Sequence, residues 1–155
     1  MQVNTRLFGE IDTEDVKIIT LTKGIIGFPD LRRFTLIYDE EDDGRAKNLM
    51  WLQSIDEPEF ALPVITPDTI FPEYNPTVED DMLLELGDLR EDNTYCLVTI
   101  KVPSDITAMT VNLKAPIIIN TDTLQGNQII VEDDLPVRQP VYEILKSRKE
   151  QGGEN

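Results

Sequence analysis

Apolar residues along this chain come in short runs, broken by Gly, Pro, Asn and Asp. That spacing predicts many short β-strands rather than helices. Residues 2–8 alternate loosely and end at Gly9, and residues 16–21 are β-branched and end at Lys23-Gly24. Further strands are predicted over 34–38, 49–53 and 60–66. The clearest covers 95–102, with Cys96, Val98, Ile100 and Val102 on one face and Tyr95, Leu97, Thr99 and Lys101 on the other. Residues 108–114 and 117–120 form two more, separated by Ala115-Pro116; a proline has no amide hydrogen and belongs at a strand start or edge. Leu124-Gln125-Gly126-Asn127 has the composition of a tight turn into a last strand over 128–131.

Two stretches carry helical signals. Residues 79–86 begin with acids, continue through Met82, Leu83, Leu84 and Leu86, and stop at Gly87. Residues 140–149 place Val141, Ile144 and Leu145 on one face and end in Lys146, Arg148 and Lys149. Nine or ten short strands with one or two short helices predict a mostly β fold: a small antiparallel barrel-like single domain over 1–150. Strands close in sequence favour a meander, and residues 151–155 are expected to fray.

Charge changes the picture more than length does. The 155 residues carry 14 Lys and Arg against 30 Asp and Glu, a net charge of −16. Nucleic-acid backbones are bound through Lys and Arg that release counterions, so direct RNA or DNA binding is disfavoured; the charge suits either a basic partner or one that itself binds nucleic acid, or solubility alone. There is no histidine, which removes Ser-His-Asp and Cys-His chemistry and the usual general base near neutral pH. The single cysteine, Cys96, rules out an internal disulfide and points to a reducing compartment. On the apolar face of its strand it is expected to be buried and inert. The first residues lack a signal-peptide core and no apolar run approaches the length of a membrane helix, so the cytoplasm is the expected location and no membrane association is expected. No metal or other cofactor is implied.

Three segments stand out as candidate sites. Asp39-Glu40-Glu41-Asp42-Asp43 is an unbroken acidic run. It lacks the alternation and central glycine of a calcium loop, and contiguous acids do not make the fixed, differentiated pair that carboxylate catalysis needs. It is either a solvated loop or an electrostatic surface that attracts a basic partner or repels RNA, and in salt it acts only within about 8 Å. The second is Lys23-Gly24-Ile25-Ile26-Gly27-Phe28-Pro29, a shaped turn without the Lys-Ser/Thr ending of a phosphate loop. Either Ile25, Ile26 and Phe28 fold under and plug the core, or they form an exposed ridge for a partner. The third is Ile70-Phe71-Pro72-Glu73-Tyr74-Asn75-Pro76, a stiff loop that suits either a lid or a docking element in which Phe71, Pro72 and Tyr74 supply the contacts. A hydrolase built on paired carboxylates is a third class of function, and no spacing supports it.

These segments together resemble one family. Leu7-Phe8-Gly9, Gly24-Ile25-Ile26-Gly27-Phe28 followed by Phe34, Leu52-Gln53-Ser54 followed by Phe60, and Pro72-x-Tyr74 are its first half. Thr110-Val111-Asn112-Leu113-Lys114-Ala115-Pro116-Ile117-x-Ile119-Asn120 and Gly126-x-Gln128 complete it. The pattern is similar to that of the flagellar assembly factor family, FliW, over nearly the whole chain. The resemblance implies a β-barrel-like fold, no enzymatic activity, and a cytoplasmic protein, monomeric when free, with two exchangeable partners. One is flagellin before export. The other is the carbon storage regulator CsrA, an RNA-binding repressor of flagellin translation, which such a protein antagonises from beside the RNA site. The alternative is an export chaperone specific for flagellin with no regulatory partner. The cations Arg138, Lys146, Arg148 and Lys149 near the end suit either internal docking or flagellin binding.

Overall fold

The computed structural model describes residues 2–5, 9–12, 17–38, 49–78 and 83–144. Among the described residues eleven strands run in order: β1 Gln2–Thr5, β2 Gly9–Asp12, β3 Ile19–Leu21, β4 Arg33–Tyr38, β5 Leu49–Ser54, β6 Ala61–Ile65, β7 Thr94–Lys101, β8 Thr110–Val111, β9 Ile117–Asn120, β10 Gln125–Gln128 and β11 Gln139–Pro140. β1 and β2 form a separate hairpin. β3 to β7 are a meander, and β9 and β10 complete the ring, β9 against β7 and β10 against β3. This is the expected barrel, closed by seven strands. Closure leaves no free edge along the ring, and it depends on one exception to the antiparallel pattern: β10 runs parallel to β3.

The barrel interior is filled by alternate residues from the ring. Ile19 and Leu21, Phe34, Met50 and Leu52, Val64, Leu97, and Ile117 and Ile119 converge there, with Ile25 added from the turn after β3. The predicted alternation in β7 holds, but neither face meets solvent along most of its length. Tyr95 and Leu97 point into the barrel, while Cys96, Val98 and Ile100 point out beneath an apolar cover. That cover is supplied by chain outside the ring. Ile70, Phe71, Tyr74, Leu113 and Val141 pack on Val98 and Ile100, and Leu83, Leu86, Ile129 and Val131 pack with Cys96 and Ile118. A barrel of short strands has little interior, and burying its outer wall adds core that an open sheet face would lack.

Several sequence expectations are corrected here. Of the first predicted strand, Gln2–Thr5 is strand and residues 6–8 lie outside the described residues; Gly9 opens a second strand, its φ of 67° suiting a glycine there. The strand expected over 16–21 is only Ile19–Leu21 among the described residues, and that expected over 108–114 is only Thr110–Val111. The turn lies earlier than expected, in the residues before Gln125. Asn120 builds it: its Oδ1 accepts from the amides of Asp122 at 2.8 Å and Thr123 at 3.2 Å, and its carbonyl accepts from the Leu124 amide at 2.8 Å. Gly126, read as a turn residue, is inside β10, where a Cβ would sit 2.8 Å from the Ile118 carbonyl oxygen. Beyond β10 the ladder continues through Ile129 N–H to Pro116 O and Val131 N–H to Lys114 O, so the extended stretch over 128–131 is present in part.

Of the two expected helices, residues 79–82 and 145–149 lie outside the described residues. The described part of the first is a single 3-10 turn, Leu84–Leu86, stopped by Gly87 at φ 86°. Residues 142–144 are helical, with Val141 and Ile144 on the outer core as the periodicity required.

Candidate partner-binding surface

The turn after β3 is closed by a pair of backbone bonds, Ile25 N–H to Phe28 O at 3.3 Å and Phe28 N–H to Ile25 O at 2.7 Å. Ile26 and Gly27 form its tip, with Gly27 at φ 91°. Gly24 sits at φ 73° with the Pro29 backbone so close that a Cβ would lie 2.5 Å from its carbonyl oxygen. The two alternatives for this segment divide by residue. Ile25 is buried in the barrel interior, whereas Ile26 and Phe28 are 49% and 50% exposed. Half-exposed large apolar side chains on a rigid tip are what a docking ridge requires.

Phe28 does not stand alone. Its ring lies 5.0 Å from that of Phe60, which in turn meets the buried Phe34 at 6.4 Å. Phe60 arrives from the β5–β6 connection, and Gln53, fully buried, holds that connection in place. Its Nε2 lies 2.9, 3.0 and 3.2 Å from the carbonyl oxygens of Ser54, Pro58 and Phe60. Asp56 ties the same connection to the start of β4, accepting from the Arg33 amide at 3.1 Å and from Arg33 Nε at 2.8 Å, with an ion pair at 2.7 Å. Burial acts to raise the Asp56 pKa, but the hydrogen bonds from Arg33 and Arg32 outweigh it and hold the carboxyl below its ordinary value.

The other two candidate segments lie elsewhere. Residues 39–43, carrying Asp39, Glu40, Glu41, Asp42 and Asp43, lie outside the described residues. The strand leading to them, β4, starts beside the Phe28 end and finishes at Tyr38, roughly 17 Å away at ordinary strand rise. Among the described residues, the barrel end where β4 finishes carries acids, Arg90 being surrounded by Asp122 at 2.9 Å, Asp92 at 3.1 Å and Asp88 at 3.6 Å. In the third segment Phe71 and Tyr74 are half-buried and turn onto the outer core, and the Tyr74 hydroxyl donates to Leu113 O at 2.6 Å. Burial drives the Tyr74 pKa well above its ordinary value. Pro72 and Glu73 remain exposed. Cys96, expected to be buried, is half-buried under the outer cover, and burial, helped by Asp68, pushes its thiol up to about 12.

Sequence reasoning missed Phe60 as part of this surface, and Gln53 and Asp56 as the residues that hold its connection in place. The available signal was a glutamine directly after the apolar run Leu49-Met50-Trp51-Leu52 in a predicted strand. Among the described residues no group of three or more metal-ligating side chains comes together, and no helix is long and apolar enough to cross a membrane.

A closed barrel with an aromatic rim at one end and an anionic far end defines a protein whose candidate site is a surface for another macromolecule. The comparisons with known proteins agree in kind. Residues 2–141 match the family model for FliW protein, and the chain belongs to the FliW family of flagellar assembly factors. It is 47% identical over 156 residues to flagellar assembly factor FliW of Lachnoclostridium phytofermentans, covering 99% of each chain. It is 50% identical over 153 residues to that of Lachnospira eligens, covering 96% of this chain and 99% of the relative. A crystal structure of the flagellar assembly factor FliW superposes with a TM-score of 0.80 at 26% identity, covering 92% of this chain and 97% of that one.

Proposed function

We propose that this chain is a non-enzymatic, cytoplasmic partner-switching regulator that binds newly made flagellin and the RNA-binding repressor CsrA, and relieves repression of flagellin translation when it holds CsrA. The observation that carries this reading is the Phe28 rim, an apolar tip held rigidly at one end of an otherwise anionic barrel. Ile26 and Phe28 supply the apolar anchors, with Ile25 rooting the turn in the core. Pro72 is the exposed residue of a second contact loop that Phe71 and Tyr74 fix to the barrel wall. The acidic residues 39–43 supply the field that disfavours RNA beside a bound CsrA, with a reach of about one Debye length. Exchange of the two partners requires a coupling between them of about 1–3 kcal/mol, equivalent to about 5- to 150-fold in affinity.

A competition experiment tests the whole cycle. CsrA is loaded with flagellin-leader RNA, this protein is added, and flagellin monomer follows. RNA release on the first addition and RNA rebinding on the second are expected. Binding of flagellin with no effect on CsrA-bound RNA would leave only a flagellin chaperone, and binding of neither partner would sink the reading.

A further inference from the structure

We infer that Gln128 is the positioning residue for the apolar tip, through a side-chain clamp that fixes the turn before any partner arrives. Three stretches distant in sequence meet at this one amide. Gln128 Oε1 accepts from the Ile26 N–H at 2.9 Å, and its Nε2 donates to Ala115 O at 3.2 Å. The tip is thereby tied to β10 and to the Ala115-Pro116 corner that starts β9. Without this bond the Ile26 amide has no partner inside the turn, because the closing pair uses only Ile25 and Phe28. The root of the turn is held from the same side: Thr22 N–H donates to Gly126 O at 3.1 Å, and the Thr22 hydroxyl lies against Asn127 and donates to Glu85 Oε2 at 2.7 Å. β10 therefore acts as a backboard. Gly126 gives it close approach, and Gln128 fixes the tip.

The clamp matters for recognition because a turn with two glycines is otherwise loose. Gly24 and Gly27 both hold positive φ, and each adds conformational freedom that binding must remove. Gln128 removes that freedom in advance. This inference rests on the proposed binding role of Ile26 and Phe28.

The test uses the full chain with Gln128→Ala, Gln128→Glu and the double variant Ile26→Ala/Phe28→Ala, with flagellin monomer as the probe. In Gln128→Ala the exchange protection of the Ile26 amide is expected to fall by about tenfold or more while Leu97 and Ile119 in the barrel stay unchanged. Flagellin affinity is expected to drop roughly three- to tenfold. Gln128→Glu keeps an acceptor for the Ile26 amide and is expected to recover both readouts in part. Unchanged Ile26 protection, or unchanged affinity when the double variant has lost binding, would overturn the clamp. If the double variant binds flagellin like the parent, the binding role of the tip fails, and the clamp's part in recognition fails with it.

Discussion

Phe28, from the turn after β3, tilts at 58° onto Phe60 from the β5–β6 connection, with ring centroids 5.0 Å apart. The pair links two turns that share no strand hydrogen bond with each other, so the rim exists only in the folded barrel. Aromatic pairs of this geometry add about 0.5–1.5 kcal/mol beyond area burial. Phe28→Ala is therefore expected to cost only about 1–2 kcal/mol in a urea unfolding experiment, since half of the ring is already in solvent. Its effect on partner binding should be larger, at roughly tenfold or more in Kd by calorimetry, as for an anchor residue. A loss of stability without a loss of binding would make Phe28 a packing residue only.

Gly24 and Gly27 occupy the same turn but answer to different constraints. At Gly24 a Cβ would be 2.5 Å from Pro29 O and 2.7 Å from two further backbone atoms, while at Gly27 nothing lies within 4 Å. Gly27→Ala meets only the positive-φ penalty, about 1–2 kcal/mol. Gly24→Ala adds an overlap with backbone that has no side chain to yield, so about 3 kcal/mol or more is expected. Chemical denaturation of the two variants side by side checks the order. Equal losses would mean that the turn re-forms around the new methyl group.

The barrel was legible in the sequence because its strands are short, alternating and separated by turn residues, as the run over 95–102 illustrates. What was hidden follows from closure. β10 pairs in parallel with β3, and a parallel contact between strands so distant in the chain leaves no local signature. Gly126 was read as a turn for the same reason: a glycine required by close approach to Ile118 and Leu21 looks, in one dimension, like a glycine required by a bend. At the site, the ambiguity of Ile25, Ile26 and Phe28 could not be divided between residues without the turn. Phe60 and Gln128 join the tip only through tertiary contact. Tyr74 could not be divided between a lid and a docking element, because a hydrogen bond to Leu113 O is invisible in its neighbours.

That bond makes a separate prediction. Tyr74→Phe keeps the ring on the outer core and removes only the hydroxyl, leaving the Leu113 carbonyl without this donor. A loss of about 1–2 kcal/mol is expected by thermal or urea unfolding. Because the hydroxyl points inward, flagellin affinity should change by less than about twofold. A large affinity change at unaltered stability would return Tyr74 to the contact surface.

Cys96 offers a direct reading of how tightly the outer core covers β7. Its thiol is pushed up to about 12 by burial, so almost no thiolate exists near pH 8. An aromatic disulfide reagent is expected to label the native protein slowly, at a rate set by opening of the cover formed by Leu83, Leu86 and Val131. In urea labelling should be complete within the dead time of mixing. Fast stoichiometric labelling of the native chain at pH 8 would show that the cover is not closed over Cys96.

Asp56 sets the acid side of stability at the rim. Burial favours its neutral form, but the Arg33 side-chain and backbone hydrogen bonds and the Arg32 amide favour the anion more, and the folded value lies below the ordinary one. A carboxyl with a depressed folded pKa contributes stability that is fully present above the unfolded value near 4 and is lost as pH falls through the folded value. The side chain is 27% exposed and its Arg33 partner 51%, so solvent screening limits the contribution to about 1 kcal/mol. Asp56→Asn should therefore be less stable than the parent by about that amount at pH 7, and the gap should narrow as pH falls from the unfolded value near 4 through the folded value. The comparison has to be made as a difference, because relief of the −16 net charge on acidification shifts both proteins together. Urea midpoints at pH 7 and at steps below about pH 4 decide it: a gap that does not narrow on acidification would assign the loss to the geometry of the connection and not to the charge on Asp56.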